Sequence, residues 1–148
     1  MRTLAVAGVI LLVSGALVAT EKYWIARNAQ LVVVGRLKGA SAVLRDDGWH
    51  ITGTIAKEEV LFGPTGQKTD IAYHFACSCC PRSRRPSLSM LSKGRGLWFL
   101  NKLSDREWES AGPECGDPGY RGIELLEDMR SFLRSREPEK ASNRKERK

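Results

Sequence analysis

Apolar and polar positions alternate through much of the middle of the chain, as they do in half-buried β-strands. Residues 71–77 alternate without interruption, and residues 96–103 are a second apolar segment of strand length. Residues 31–37 open with a β-branched run, which is typical of a strand covered on both faces, and Gly35 within it indicates a bulge or bend. The sequence Asp-Asp-Gly at 46–48 predicts a hairpin turn, since Asp and Gly accept the backbone angles that such turns need.

The apolar residues of segment 49–62 change faces partway along it. The apolar residues from Trp49 to Ile55 have odd numbers and so share one face, whereas Val60 and Phe62 have even numbers and lie on the other face. Because strand side chains alternate with a period of two, a slip of one residue near 56–58 is what a β-bulge produces in a long, bent strand. We therefore predict one long bulged strand here.

One amphipathic helix is expected near the C-terminus, at residues 123–136. Its apolar positions recur at helical spacing, acidic residues lie in its first half and arginines in its second half, as the helix dipole favours. Pro138 is expected to end this helix. Residues 137–148 contain no aromatic residue and no aliphatic residue larger than Ala, which predicts a disordered basic tail.

These elements together predict a fold class. Several short strands, a hairpin, a long bulged strand and one helix fit a mainly β protein, a small OB-like β-barrel of five strands. The C-terminal amphipathic helix is expected to close one end of this barrel, and a hydrophobic N-terminal helix precedes it. The predicted organisation is a signal peptide or membrane anchor at 1–20, the barrel domain with its helix at 21–136, and the tail at 137–148.

Three segments of this region resemble a known family. VVVGRL, WHITGTIAKEEVLFGP and RGLWFL follow one another within residues 29–103. In this order they resemble netrin-module and TIMP-like secreted OB-fold domains, whose pattern reads VVxGxV, then VLkG, then a glycine before a yLvFL strand. The resemblance implies a secreted OB-fold domain. The metalloproteinase inhibitors of that family have a Cys at the mature N-terminus, whereas this chain has none before Cys77, so inhibition is not implied.

The N-terminal segment predicts export. No charged residue occurs between Arg2 and Glu21, and residues 4–19 are almost entirely apolar. This pattern fits a secretory signal, and as a helix residues 3–20 would span about 27 Å, just short of a hydrocarbon core. The segment fits both a cleaved signal and a retained anchor, and the anchor is favoured. Arg2 favours a cytoplasmic N-terminus, so the domain is expected in the periplasm or at the cell exterior.

Composition narrows the function classes. The chain has 148 residues, 24 Lys plus Arg against 17 Asp plus Glu, and 42 % hydrophobic residues. These values exclude a wholly disordered chain, a collagen-like fibre and a multi-span membrane protein. No P-loop, dinucleotide fingerprint or HExxH motif is present, and His50 and His74 stand apart in the sequence. We therefore assign no catalytic residue and expect no cofactor and no enzymatic activity.

The cysteines are the most informative residues. In an exported chain an even number of cysteines predicts disulfides, and a vicinal Cys79–Cys80 bridge would be strained. Either remaining pairing ties Cys115 to the segment after residue 77 and closes a loop of about 35 residues, worth on the order of 3–4 kcal/mol. The four cysteines are Cys77, Cys79, Cys80 and Cys115.

Two other chemistries are open for these residues. Thiolates bind Zn²⁺ or Cu(I), and the alternative metal set is His74, Cys77, Cys79, Cys80 and Cys115. Against it, a strand that continues to Cys77 places His74 on the opposite face. Cys77 and Cys80 also have the CxxC spacing of redox pairs, although that motif usually opens a helix in a βαβ unit.

A basic segment follows the cysteines. Residues 81–95 contain five basic residues and no acid, and such a cluster can bind anionic surfaces. The anion-binding set is Arg82, Arg84, Arg85, Lys93 and Arg95. We expect an exported, membrane-tethered domain that binds or scaffolds a protein or an anionic surface. Export argues against nucleic acid as a partner.

Overall fold

The computed structural model describes the backbone of residues 23–64, 66, 70–113 and 115–142, and the side chains of these residues up to Arg136. A short helix, α1, covers residues 23–28. The strands are β1 (Leu31–Arg45), β2 (Gly48–Phe62), β3 (Asp70–Cys77), β4 (Arg95–Lys102), β5 (Glu107–Ser110) and β6 (Tyr120–Gly122). The helical segments after β3 are α2 (Ser89–Ser92), a 3-10 turn (Ile123–Leu125) and α3 (Leu126–Ser142). The protein is mainly β with a C-terminal helix, as the residue pattern predicts.

The strands form one six-stranded sheet in the order β1-β2-β3-β5-β4-β6. Its pairs are antiparallel except for β3 and β5, which run parallel. In addition to β2, β1 pairs with β4, with Leu31 opposite Leu100 and Arg36 opposite Arg95. β1 therefore has a strand on each side and no free edge along its first half.

The predicted turn and bulge are confirmed. Asp46 and Asp47 connect Arg45 to Gly48, which pair with each other across the hairpin, and Gly48 has a φ of 129°. In the β1–β2 register Val34 lies opposite Glu59 and Gly35 opposite Lys57, so Glu58 is an extra residue. The slip near residues 56–58 is thus a β-bulge. Residues 41–45 form the end of β1, which runs into this hairpin.

The first part of β1, residues 31–35, and residues 96–100 of β4 are buried on both faces, as predicted for the start of segment 31–37. Alternate residues of both strands contribute to two hydrophobic clusters. The first cluster consists of Leu31, Val33, Leu37, Ala42, Trp49, Ile51, Ile55, Ile71, Tyr73, Phe75, Cys77, Leu91, Trp98, Leu100 and Trp108. The second cluster consists of Ile25, Ala26, Ala29, Val32, Val34, Phe62, Leu97, Phe99, Ala111, Met129 and Leu133. The sheet therefore separates two cores.

The C-terminal helix differs from its prediction in position. Met129 and Leu133 of α3 pack in the second cluster, against the faces of β1 and β4, rather than over the end of the first cluster. Leu91 of α2 joins the first cluster instead. The physical reason is that the apolar faces of Val32, Val34, Leu97 and Phe99 need a cover, and a helix stripe supplies it.

The end of α3 also differs. The helix includes Pro138 and ends at Ser142 instead of at residue 136. A proline removes one backbone donor but does not prevent a helix where its neighbours favour one, and Glu, Lys and Ala follow it. The predicted tail overlaps the helix over 137–142 and otherwise lies outside the described residues, so its disorder stays a prediction.

The predicted signal or anchor at 1–20 lies outside the described residues. Among the helices that the structure does describe, none is long and apolar enough to cross a membrane.

Candidate functional site

The four cysteines meet where β3 ends. Cys77 is the last residue of β3 and is fully buried in the first cluster. Disulfides join Cys77 to Cys80, with their Cα atoms 5.4 Å apart, and Cys79 to Cys115, with their Cα atoms 6.0 Å apart. All four cysteines, called the cysteine cluster below, are thus oxidised. Of the two pairings that the sequence left open, the structure has the one that joins Cys79 to Cys115.

The two disulfides contact each other. Sγ of Cys77 lies 3.6 Å from Sγ of Cys79. The Sγ atom of Cys115 accepts a hydrogen bond from the backbone N–H of Cys79 at 3.1 Å and lies 3.6 Å from Oγ of Ser78. Cys79 and Cys115 are exposed, whereas Cys77 is 0 % exposed. The cluster therefore has one outer bridge and one inner bridge in direct contact.

The metal alternative has three of its five ligands in one place. The Sγ atoms of Cys77, Cys79 and Cys115 all lie within 4.8 Å of one another. They are paired in disulfides, however, and the thiolate form is the one that binds metal. His74 does not join them, because its ring nitrogen contacts His50 instead. A metal set that includes His74 is therefore not brought together.

The loop that carries Cys115 is also held without the disulfide. The hydroxyl of Tyr73 donates to the carbonyl of Pro118 at 2.6 Å, and Ser110 donates to the carbonyl of Asp117 at 2.7 Å. The two terminal guanidinium nitrogens of Arg121 donate to the Asp117 carboxylate, at 2.9 and 2.8 Å. Polar contacts with β3 and β5 thus order a loop that its composition predicts to be weakly packed.

The carboxyl of Asp117 is ionised by these contacts. Burial alone would raise the pKa of Asp117, but the hydrogen bonds from Arg121 and from the backbone of Gly119, together with the charge of Arg121, hold the pKa below its usual range. Burial also raises the pKa of Tyr73. The Tyr73 hydroxyl therefore stays protonated and available as a donor to Pro118.

A second constellation was not expected from the sequence. Nδ1 of His50 lies 2.9 Å from Nε2 of His74, and Nε2 of His50 lies 2.7 Å from Oδ1 of Asp47. The hydrogen bond from His50 lowers the pKa of the exposed Asp47 carboxyl. Because an ionised carboxylate only accepts, Nε2 of His50 donates to Asp47, and one ring nitrogen of the His50–His74 pair donates to the other.

His74 is kept neutral by its surroundings. Burial lowers its pKa, and so do the charges of His50 and Arg45, while Glu107 and Glu109 oppose the shift. Its Nδ1 atom is buried and has no hydrogen-bond partner within the described part of the chain. It lines a cavity of about 130 Å³ together with Glu109 and Asp117. The chain of hydrogen bonds from Asp47 through His50 to His74 therefore ends at a buried ring nitrogen that has no partner among the described residues.

The strand register explains why these histidines meet. Thr52 pairs with His74 and His50 pairs with Ala76, which makes the two imidazoles diagonal neighbours on one face. Both have the parity opposite to Trp49 and Tyr73, which point into the first cluster. The alternation of each strand predicts that both histidines point away from the first cluster. It does not predict the β2–β3 register that brings the two rings together.

The basic segment is divided into two groups. Arg82 donates to the backbone carbonyls of Arg45 and Asp46 at 3.1 and 3.0 Å, and Arg95 forms an ion pair with Glu58. The other three are exposed, and their side chains have no hydrogen-bond or acidic partner among the residues that the structure describes. They are Arg84, Arg85 and Lys93. The five predicted cations thus do not act as one unit.

Comparisons of the chain with protein-family models, with curated proteins and with solved structures returned no match.

Proposed function

We propose that this chain is an exported, membrane-tethered domain that binds or scaffolds a partner. The observation that carries the proposal is the oxidised state of all four cysteines. Disulfides form and persist outside the reducing cytoplasm. An uncharged N-terminal segment from residue 3 to 20 supplies the matching route of export and the tether.

The proposed framework for binding is a small OB-like barrel. The pairings β1–β2, β2–β3, β3–β5, β5–β4 and β4–β1 return to the strand from which they start. Five strands paired in this circuit, with a parallel pair between the third and fifth, match the five-stranded Greek-key barrel of the OB-fold. The first cluster would fill its interior, and β6 pairs with the first part of β4, along the edge that β5 pairs with further on. The family resemblance of residues 29–103 points the same way.

A test of export and tethering uses thiol trapping in cells. Full-length protein is blocked with a thiol reagent before lysis, then reduced and labelled with a second reagent. We expect all four cysteines to take only the second label and the protein to stay in the membrane fraction after alkaline extraction. Labelling of the four cysteines by the first reagent would contradict export, and release by alkali would contradict the tether.

Anionic surfaces are the partner class that the described surface favours. The uncommitted cations Arg84, Arg85 and Lys93 lie in one exposed segment, and a tethered domain holds them near charged headgroups or glycans. Exposed clusters of one sign attract oppositely charged surfaces within about one Debye length. The proposed binding is therefore weak, dependent on salt and centred on residues 84–93.

The test replaces Arg84, Arg85 and Lys93 by Gln in the full-length chain in mild detergent and measures elution from a sulfated polysaccharide column. We expect the triple variant to elute at lower salt than the wild type. A control triple, Lys38→Gln with Arg106→Gln and Arg134→Gln, removes the same charge from other exposed positions. Equal elution of the two triples would mean that only net charge matters and would contradict a localised site.

The thiolate metal site is the second candidate, since three sulfur atoms lie within 4.8 Å. It requires the reduced protein. After reduction under argon, added Zn²⁺ should be retained through desalting by the wild type and lost in a Cys77→Ser variant. Retention of no zinc by the reduced wild type would remove this candidate.

A further inference from the structure

The two disulfides differ in how a reductant can reach them. Both members of the outer bridge, Cys79 and Cys115, are exposed. In the inner bridge Cys77 is 0 % exposed and Cys80 packs against the first cluster. Thiol–disulfide exchange requires access of the attacking thiolate to a sulfur. A dithiol in solution therefore meets the outer bridge first.

We propose that the cysteine cluster is a thiol–disulfide exchange centre that takes two electrons from a dithiol, such as a protein with a reduced CxxC pair, and relays the opening of the outer bridge to the inner one. One thiolate of the dithiol attacks Sγ of Cys79, forms a mixed disulfide and expels Cys115 as a thiolate. The second thiol of the dithiol then attacks the mixed disulfide and leaves Cys79 reduced. The dithiol is oxidised to its disulfide, and its two protons pass to the sulfurs of Cys79 and Cys115.

The environment of Cys115 favours its departure. The backbone N–H of Cys79 lies 3.1 Å from its Sγ atom, and the hydroxyl of Ser78 lies 3.6 Å away. Donors at this position stabilise a thiolate, and a thiol of lower pKa leaves faster in exchange. Attack on Cys79 is therefore favoured over attack on Cys115.

The relay step follows from the contact between the bridges. Sγ of Cys79 lies 3.6 Å from Sγ of Cys77, so the freed Cys79 thiolate is already beside the inner bridge. Its attack forms the Cys77–Cys79 bond and breaks the Cys77–Cys80 bond, releasing Cys80 as the thiolate. This step moves no electron into or out of the protein. The two-electron-reduced product carries thiols on Cys80 and Cys115.

Limited reduction of the wild type tests this sequence of events. The full-length protein is treated with substoichiometric dithiothreitol, alkylated in acid-quenched samples over time, and mapped by peptide mass spectrometry. We expect the label on Cys79 and Cys115 early and a shift of label from Cys79 to Cys80 later, with a Cys77–Cys79 linkage appearing in parallel. Early label on Cys77 and Cys80 would overturn the order of opening.

A matched pair of variants isolates the relay. Cys115→Ser leaves Cys79 as a free thiol beside the inner bridge, whereas Cys79→Ser leaves Cys115 free in its place. Without added reductant, the first variant should distribute its label between Cys79 and Cys80. The second should carry its label on Cys115 alone, with the Cys77–Cys80 bridge intact.

The outcomes separate the relay from simple reduction. A Cys115→Ser variant that keeps all its label on Cys79 at every pH and time overturns the relay, as does a wild type whose label never reaches Cys80. If the Cys115→Ser variant does not fold, the time course of the folded wild type decides alone. Neither result depends on export or on anion binding, so the failure of those proposals is distinguished from the failure of this one.

Discussion

The two faces of β1 and β4 bury cores of different character. Leu31 and Val33 point into the first cluster, which contains most of the buried aromatic rings and the inner disulfide. Val32 and Val34 point into the second cluster, which is mostly aliphatic and is covered by α1 and α3. The same strands thus carry one core enclosed by sheet and disulfides and one core enclosed by two helices.

The helix-covered side is joined by polar contacts instead of covalent bonds. Arg136 of α3 donates to the carbonyl of Ala26 and, at 3.0 Å, to that of Arg27. Arg130 bonds Glu59 of β2 at 2.7 Å. Because these contacts hold α3 to α1 and to β2 without a covalent link, we expect the second cluster to open before the first.

The largest effect is expected in the first cluster, at Trp98. Its side chain is fully buried, its indole N–H donates to the carbonyl of Gly35 at 3.2 Å, and its ring packs between Tyr73 and Tyr120. Trp98→Ala should lower the free energy of unfolding by about 3–5 kcal/mol, measured by chemical denaturation. Trp24→Ala, at a side chain 43 % exposed, is the control and should change it little. Equal losses would contradict this assignment of the core.

Loss of the outer disulfide comes next. Cys115→Ser removes a link across 36 residues and should lower the free energy of unfolding by about 2–5 kcal/mol in oxidising buffer. Reductant should bring the wild type towards the variant and affect the variant less. The polar contacts of Asp117 and Pro118 place the loss toward the lower part of that range. Identical melting of both proteins in oxidising buffer would contradict a structural role for this bridge.

A cavity in the second cluster should cost less. Leu133→Ala truncates a residue 2 % exposed, and a helix can shift to fill part of the space, so we expect a loss of about 2–3 kcal/mol. Hydrogen exchange should accelerate in α3 and α1 while the amides of β2 and β3 keep their protection. Uniform acceleration in all elements would show that the two clusters open together.

The helix contact at Arg136 is expected to contribute about 1 kcal/mol. Its guanidinium bonds carbonyls of α1 and lies 4.2 Å above the ring of Phe62, and a bond from a charged donor at a partly exposed site has about this strength. Arg136→Gln should lower the free energy of unfolding accordingly. Arg134→Gln, at an exposed neighbour in α3, serves as the matched control and should leave it unchanged.

The smallest effect concerns pH and His74. Burial lowers the pKa of His74 in the folded protein, so the unfolded chain takes up a proton first as the pH falls below about 6.5. Stability from this group is present above that pH and is lost as the pH falls toward the lower, folded-state pKa. His74→Gln should flatten the slope of stability against pH in this window. An unchanged slope would mean that His74 protonates equally in both states.

Several local features were predictable because they depend on neighbouring residues. The alternation of residues 71–77, the turn at Asp46 and Asp47 and the bulge at Glu58 all follow from backbone geometry within a few residues. The helix near the C-terminus was also predictable as an element. Its end was not, because Pro138 is a weak stop when the residues after it favour a helix.

The candidate sites depended on contacts between distant segments. Parity placed His50 and His74 on outer faces, but only the β2–β3 register made them neighbours. The sequence likewise did not predict that Arg82 and Arg95 are bound while the other three basic residues have no partner among the described residues, since the partners of Arg82 and Arg95 belong to the β1–β2 hairpin. The sequence around a charged side chain does not show whether a distant carboxylate or carbonyl forms a contact with it.

The residue pattern alone predicts which side chains face a core, where the chain turns and that four cysteines are available for oxidation. It does not predict that β1 pairs with β4, that β3 runs parallel to β5, or that Cys79 rather than Cys80 meets Cys115. Side-chain alternation is a property of one strand. Pairing between strands depends on how two separate cores pack on opposite faces of the sheet, which no single segment encodes.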